Sequence, residues 1–492
     1  MRRTDPRQLG FAFADSPQGD GEPNQPDASG GRDFLLHTAK PKTTKRPVAD
    51  TPALGGGLLE EAASMANLAR ALLNVVSNKG APGPDGQTVE GAEQHARPLL
   101  HALRKALLKG SYRPGAVRRV TIPKPGGGRR DLGIPNVVDR VAQQAVLQVL
   151  EPIFEPTFHP SSHGFRRGRG APTAIAEAKA HRETGRQWVV DIDLSKFFDR
   201  VDHQRLLDRL AQKVSDARLV EVVRRMLKAK VVLPDGVKIE TQEGTPQGGP
   251  LSPLLSNIVL DELDRELARR GHRFVRYADD CNVFVGSERA GLRVMASLRD
   301  FLERRMRLKV NVEKSAVRKA SGVHFLGFRL ARRGAQEGER IVVLPSAKAE
   351  KRLKATIRAM TPPNWGRSLA DCMADLSRYL NGWMAHFRLC SESALKGFAT
   401  IEAHIRRRLR AIIIQQKKRR RFLYRHLLAR GVDVKAAGPV AYGRKGRWVR
   451  SNYQGMTKAY PPAWFKSRMT SLAKRWRELN AASASGQLAF AL

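Results

Sequence analysis

The stretch Arg276-Tyr277-Ala278-Asp279-Asp280-Cys281-Asn282-Val283-Phe284-Val285 constrains this chain more than any other. Phe274 and Val275 lead in, and Cys281, Val283 and Val285 alternate on the way out. That pattern predicts two short strands joined by a tight turn. Adjacent aspartates at a hairpin tip serve no core. Two like charges side by side repel, and they become tolerable when a cation lies between them and another anion. Carboxylate oxygens on a rigid turn suit Mg²⁺, which keeps waters and substrate phosphates as its remaining ligands. An Asp-Asp turn met alone is usually a solvated turn. The rest of the chain changes that weighting.

A second carboxylate comes from Trp188-Val189-Val190-Asp191-Ile192-Asp193-Leu194-Ser195-Lys196-Phe197-Phe198-Asp199, which reads as a strand. Alternation puts Asp191 and Asp193 on one face. Asp193 can supply the partner that the 279/280 pair needs. Net charge points to what the site works on. There are 88 Lys plus Arg against 47 Asp plus Glu, a net charge of +41. Such an excess self-repels until a polyanion neutralises it, so nucleic acid is the expected partner. No apolar run reaches transmembrane length and no signal-peptide apolar region opens the chain, so a membrane-surface role is set aside. The three cysteines, Cys281, Cys372 and Cys390, form no Cys-x-x-Cys pair, which argues against disulfides and cysteine-based zinc and for a reduced, cytoplasmic compartment.

Residues 1–57, rich in Gly, Pro, Asp, Ser and Thr, predict a disordered tail. One helical pattern runs from Leu58 to Val76 and another through Leu99, Leu103 and Leu107 to Gly110. Arg118 to Pro135 predicts a hairpin whose glycine-rich tip is flanked by cations, suited to a triphosphate or simply a mobile basic loop. His163, in the basic loop Ser162 to Gly170, reads as a hydrogen-bonded loop histidine sooner than a base or ligand. Thr245-Pro246-Gln247-Gly248-Gly249-Pro250 lets backbone approach a ligand just before a long helix from Pro253 to Arg270. Helices follow at 289–307, 349–360, 369–387 and 394–428, with a strand at Phe325-Leu326-Gly327-Phe328-Arg329-Leu330. The last helix carries Arg406, Arg407 and Arg410, then Lys417-Lys418-Arg419-Arg420-Arg421. These cations are either a solvated face or, given the net charge, a nucleic-acid contact. The tail interleaves cations with Tyr442, Trp448, Tyr453, Tyr460, Trp464 and Trp476, which fits base stacking or an ordinary packed subdomain equally.

In order, the chain has a basic finger hairpin, a strand aspartate, a Pro-Gln-Gly-Gly loop, an Asp-Asp hairpin, a Lys loop, a Phe-Leu-Gly-Phe strand and a basic helical region. From about residue 75 to 430 it resembles the group II intron-encoded reverse transcriptase/maturases of the endonuclease-lacking type. The resemblance implies an α+β right-hand polymerase, with fingers and an antiparallel palm sheet backed by helices, then a helical thumb. The boundaries it suggests are 58–342 for fingers and palm, 343–430 for the thumb or maturase domain, and 431–492 for a basic aromatic segment that binds DNA or completes the thumb. It implies Asp193, Asp279 and Asp280 as catalytic metal ligands, with the backbone of Ile192 or Leu194 as an additional one. Two Mg²⁺ ions, with Mn²⁺ as a substitute, would clamp the primer oxygen and the leaving pyrophosphate.

The same resemblance implies Lys124 and Arg130 as triphosphate-binding finger residues and Gln247 as a contact to the incoming dNTP. Phe198 is implied as an aromatic gate against a 2′-hydroxyl, and Lys314 as an acid near the leaving group. Asp131 departs from the family, which more often has proline there. Asn78 to Gly86 resembles the class's extra N-terminal motif, and Tyr379 to Phe387 its maturase region. The zinc-containing endonuclease frequent in the family is not expected here. The implied partners are a structured intron RNA, a DNA target or primer, and dNTPs, in a ribonucleoprotein of a bacterial cytoplasm. Two other functions fit the same residues: a host-adopted reverse transcriptase in defence or repair, and an RNA-folding factor with a vestigial polymerase.

Overall fold

The computed structural model describes residues 57–123, 129–240, 243–245, 248–333, 340–362 and 366–484. Lys124, Gln247 and the expected N-terminal tail up to residue 56 lie outside the described residues. The described residues form two compact units, one of 57–174 with 190–317 and one of 175–189 with 318–484. The sequence boundary at 343 and the structural division at 317 therefore differ, because the strands after residue 318 associate with the helices that follow them.

The first unit opens with α1 (Leu58–Ala62) and α2 (Met65–Ser77) where the periodicity suggested one helix. Ser64 makes the difference: its side chain accepts from the Asn67 N–H and caps a fresh start. After α3 (Val89–Gln94) and α4 (Ala96–Leu108), β1 (Val117–Pro123) and β2 (Arg129–Ile134) form the predicted hairpin, in register from Arg118 opposite Ile134 to Pro123 opposite Arg129. Beyond α5 (Val137–Phe154), α6 (Ala171–Glu183) leads to β3 (Trp188–Ile192). The expected strand to Asp199 stops at Ile192. Past it the backbone bonds elsewhere, the Asp193 carbonyl accepting from Asn311 N–H and Ser195 N–H donating to the Lys309 carbonyl. A 3₁₀ turn, Phe197–Arg200, follows.

Helices α7 (His203–Ala211) and α8 (Ala217–Leu227) precede the short strands β4 (Val231–Val232) and β5 (Lys238–Ile239), which extend the first hairpin into a sheet ordered β2-β1-β4-β5. Helix α9 (Ser252–Arg269) follows, and then β6 (Arg273–Tyr277) and β7 (Asp280–Val285) make the Asp-Asp hairpin. With β8 (Ala316–Lys319) they complete a second sheet, ordered β6-β7-β3-β8. Cys281 to Val285 are all buried, so both faces of β7 are covered. Leu254, Leu255, Ile258, Leu260, Leu263 and Leu267 of α9 are also buried. At about 1.5–3 kcal/mol for each fully buried leucine or isoleucine, this helix is strongly anchored, which matters because it supports the hairpin's polar side chains. Helix α10 (Glu288–Asp300) ends in a π-helical turn at Phe301–Arg305.

In the second unit β9 (Phe328–Arg333) and β10 (Arg340–Pro345) pair antiparallel, and the chain bends into β9 at Leu326 and Gly327, both at positive φ. The His386 ring bonds the Leu326 carbonyl at 3.0 Å. Helices α11 (Ala347–Met360), α12 (Leu369–Phe387), α13 (Leu395–Gln416) and α14 (Arg420–Leu428) follow. The single helix expected over 394–428 is thus broken at Lys417–Arg419, where five adjacent cations would repel along one helical turn. Five further helices run from Val434 to Ala484. Their aromatics pack on the protein's own arginines: Arg430 stacks on Tyr460 at 4.2 Å and Arg407 on Trp448 at 4.0 Å. The three cysteines are free and buried. Among the described residues no helix is long and apolar enough to cross a membrane.

Candidate active site

Tyr277 pairs with Asp280, so Ala278 and Asp279 form a two-residue turn between β6 and β7. Ala278 has φ 56°, a left-handed conformation that a residue with a Cβ adopts only under constraint. The turn projects Asp279 at the sheet end where β3 delivers Asp193. Burial raises the Asp279 carboxyl above its ordinary range and the negative Asp193 raises it further, while Arg130 and Arg276 oppose the rise. Burial pushes Asp280 well above that range, with Asp191, Asp279 and Asp193 adding repulsion in that order. Asp279 and Asp280 are thus both disfavoured as charged groups, by burial first and by neighbouring carboxylates second.

The Asp193 backbone is held from two directions, while its side chain is partly exposed. Its N–H donates to Ser315 Oγ at 3.0 Å, its carbonyl accepts from Asn311 N–H at 2.8 Å, and Lys314 Nζ lies 3.9 Å from its carboxylate. Hydrogen bonds on either side of Leu194 leave its own peptide groups turned away from the 309–311 segment. Arg130 stands opposite Ile122 in the finger hairpin and its charge reaches Asp279. Its neighbour Asp131 is occupied across the hairpin, accepting from Thr121 Oγ1 at 2.7 Å and lying 3.5 Å from Arg119. The departure at Asp131 therefore leaves Arg130 unencumbered.

Among the described residues no three His, Cys, Asp or Glu side chains group closely enough to hold a metal. Asp280 is repelled most by Asp191 and then by Asp279 and Asp193, so its carboxyl lies within electrostatic reach of both other candidate ligands. Two carboxylates still fit a hard divalent cation, which takes one or two from protein and the rest from water and substrate phosphates.

Phe198 lies on the 3₁₀ turn, half-buried, its ring edge-on to Phe197 at 5.2 Å between centroids. A cavity of about 840 Å³ opens beside it, lined also by Leu132, Gly133, Asp199, His203 and Gly244. Asp193, Asp279 and Asp280 do not line it. If this ring is the sugar gate, Phe198→Val should raise ribonucleotide incorporation about 10- to 100-fold relative to deoxynucleotide, the scale of one lost steric contact. Competition between the two nucleotides in primer extension measures it, and an unchanged ratio would remove the role.

The basic helix divides. Lys418 to Arg421 are exposed and Lys417 is half-buried. Arg406 is turned to Glu402 at 3.6 Å. Arg410 is buried, its guanidinium lowered to about 10 by burial and by Arg406, and it donates twice to the Tyr460 carbonyl. It therefore anchors the tail and is not presented to a nucleic acid. His163 is buried and bonds Thr173 Oγ1 at 2.8 Å, as a loop histidine. Ser315, Asp191 as the neighbour of Asp280, and the buried side chains behind the turn were not legible as site residues. Their roles depend on contacts between residues far apart in sequence.

An α+β polymerase palm with an aspartate turn, a strand-end aspartate and a basic finger hairpin defines a reverse transcriptase. Residues 122–330 match the family model described as reverse transcriptase (RNA-dependent DNA polymerase), and 350–431 match the group II intron maturase-specific domain. The chain is 35% identical over 325 residues to protein YkfC of Escherichia coli (strain K12), covering 57% of this chain and 85% of YkfC. It is 35% identical over 205 residues to the group II intron-encoded protein LtrA of Lactococcus lactis subsp. cremoris, covering 41% of this chain but 34% of LtrA. A putative COX1/OXI3 intron 2 protein of Saccharomyces cerevisiae is 26% identical over 287 residues, with 46% of this chain and 34% of that protein covered. The chain thus spans about a third of the length of these two intron proteins. It belongs to the group II intron-encoded reverse transcriptase/maturase family. Its reaction class is RNA-directed DNA polymerisation, and the family works with divalent metal ions on nucleic acid.

Proposed function

We propose that this protein extends a primer 3′-hydroxyl with dNTPs on an RNA template at Asp193 and Asp279, and that it binds a group II intron RNA to assist splicing and retrohoming. The observation that carries the reading is the convergence of Asp193 and Asp279 beside Arg130, a cluster whose uncompensated charge a bound cation would relieve. Mg²⁺ bound there, as a pair of ions, would activate the primer hydroxyl and neutralise charge on the phosphates. Arg130, with Lys124, receives the triphosphate by charge-assisted hydrogen bonds. Asp193, fixed by Ser315 and Asn311, keeps the reacting groups aligned, so little reorganisation accompanies the in-line displacement. Lys314, mostly exposed and beside Asp193, stands where it can give a proton to departing pyrophosphate. Phe198 screens the sugar. Asp280, within electrostatic reach of Asp193 and Asp279, is the third proposed metal ligand. Residues 431–484 complete the helical unit through the Arg410–Tyr460 contact and offer the exposed Tyr442 to DNA.

The direct test is primer extension by the purified full chain, with an RNA template, an annealed DNA primer, dNTPs and Mg²⁺. Extension supports the polymerase reading. Tight, salt-sensitive RNA binding without extension would move the assignment to an RNA-folding factor. Changing Lys417–Arg421 to alanines should weaken RNA binding and flatten its dependence on salt. Each phosphate contact contributes roughly 0.7–0.9 to the logarithmic slope, so a loss of about 2–4 is expected. An unaltered slope would return that run to a solvated face.

A further inference from the structure

The buried side chains behind the aspartate turn form one connected network. Arg276 is fully buried, and its ion-pair partner Asp264 on α9 is equally so. All five guanidinium donors are engaged. Nε and Nη2 donate to the two Asp264 oxygens at 2.7 and 2.5 Å, and Nη2 also donates to Ser162 Oγ at 2.6 Å. Nη1 donates to Asn257 Oδ1 at 3.0 Å and to the Ala278 carbonyl at 2.9 Å. That carbonyl belongs to the peptide joining Ala278 to Asp279. Its orientation decides where the Asp279 carboxylate points, and Ala278 holds the left-handed φ of 56°.

The network also closes around the turn from the other side. Residues 161–163 run beside β6, with Arg276 N–H donating to the Ser161 carbonyl and His163 N–H to the Arg276 carbonyl, both at 2.9 Å. Asn257 Nδ2 donates to the Gly164 carbonyl at 2.9 Å. A Cβ on Gly164 would stand 2.4 Å from the Ala278 nitrogen, so backbone is packed directly on backbone there. A buried ion pair is a weak source of stability compared with apolar residues of the same volume. What it supplies here is a planar five-donor fork, and no other side chain can hold a carboxylate, an amide, a hydroxyl and a peptide carbonyl at once.

We propose that Arg276, oriented by Asp264, is a positioning residue that fixes the Ala278–Asp279 peptide and so aims the Asp279 carboxylate. The proposal rests on the reading of Asp279 as a catalytic carboxylate. It is tested with the full chain by three variants: Asp279→Ala, Arg276→Lys, and the paired Arg276→Met/Asp264→Leu, which replaces the ion pair with apolar volume. Steady-state primer extension, its Mg²⁺ dependence, primer–template affinity and the Mg²⁺-induced rise in Tm are measured for each.

Arg276→Lys keeps the charge beside Asp264 but loses the reach to Ala278. Its kcat should fall about 10²-fold, the effect of an ångström of misplacement. Half-maximal rate should require more Mg²⁺, the Mg²⁺-induced rise in Tm should shrink, and primer–template affinity should stay put. The paired variant should regain parental Tm without regaining kcat. A merely structural pair predicts the opposite, with activity returning as Tm returns, and that result would overturn the proposal. Should the paired variant fail to fold, Arg276→Lys decides alone, and parental kcat with parental Mg²⁺ dependence overturns it. If Asp279→Ala still synthesises DNA, the site reading itself fails. If that variant is inactive while Arg276→Lys is indistinguishable from the parent, only the positioning role is lost.

Discussion

Asp279→Ala should lower DNA synthesis at least about 10³-fold and leave RNA binding within about twofold of the parent. A single preorganised electrostatic contact at a reacting centre is worth about 10²–10³ in rate, and Asp279 does more than one such contact. It shares its field with Asp193, receives the charge of Arg130, and sits on a turn whose backbone is held in an uncommon conformation. The loss cannot be assigned to unfolding. Burial and Asp193 both disfavour the Asp279 charge, so its removal relieves repulsion, and the Tm of the metal-free variant should equal or exceed that of the parent. RNA binding is the second control, because the exposed cations at Lys418–Arg421 lie in the helical unit. Single-turnover extension and equilibrium RNA binding on one preparation check both halves. Synthesis within tenfold of the parent would dismiss the catalytic assignment.

The sequence carried the site further than it carried the fold's boundaries, and particular residues show why. Asp279 and Asp280 were legible because a charged pair at a hairpin tip contradicts local rules for a strand, and such contradictions concentrate at functional sites. Arg130 was named only through the family resemblance, since a cation beside a glycine-rich tip also fits a mobile basic loop. The strand that carries Asp193 was read too long, since the bonds that end β3 come from residues 309 and 311. The split at Ser64 turned on one cap, and the break at Lys417–Arg419 on charge repulsion that helical periodicity does not register. Arg410 was misread for a related reason. Nothing in Arg406-Arg407-Arg408-Leu409-Arg410 distinguishes the arginine that faces the Tyr460 carbonyl, 50 residues away, from those beside it. Arg276 and Asp264 were hidden in the same way, because their pairing joins a strand to a helix 12 residues earlier and leaves no local pattern.

Gly244→Ala should cost about 10²-fold in kcat/KM for a dNTP and should erode the preference for deoxynucleotides, although residue 244 contributes no side chain to the site. Gly244 has φ 93°, and a Cβ there would meet the Phe198 carbonyl oxygen at 2.8 Å and the Asp199 backbone at 2.9 Å. Neither neighbour is a flexible side chain that could swing aside. Both belong to the turn that carries the Phe198 ring, and that turn is stapled to the loop by three contacts. Thr245 N–H donates to the Phe198 carbonyl at 2.6 Å, Gly244 N–H donates to the Val201 carbonyl at 2.8 Å, and His203 Nε2 lies 2.6 Å from the Gly244 carbonyl. The added methyl group must therefore displace Phe198, and about an ångström of displacement at a reacting centre suffices for the stated loss. Gly236→Ala is the control. Gly236 has a similar φ of 88° with nothing within 4 Å of a Cβ, so it carries the backbone strain without the collision. Its selectivity should match the parent's. Competition between dNTP and rNTP in primer extension reads both variants. If Gly244→Ala and Gly236→Ala discriminate equally well, the loop does not support the gate, and the selectivity of this polymerase has to be sought at residues other than Phe198.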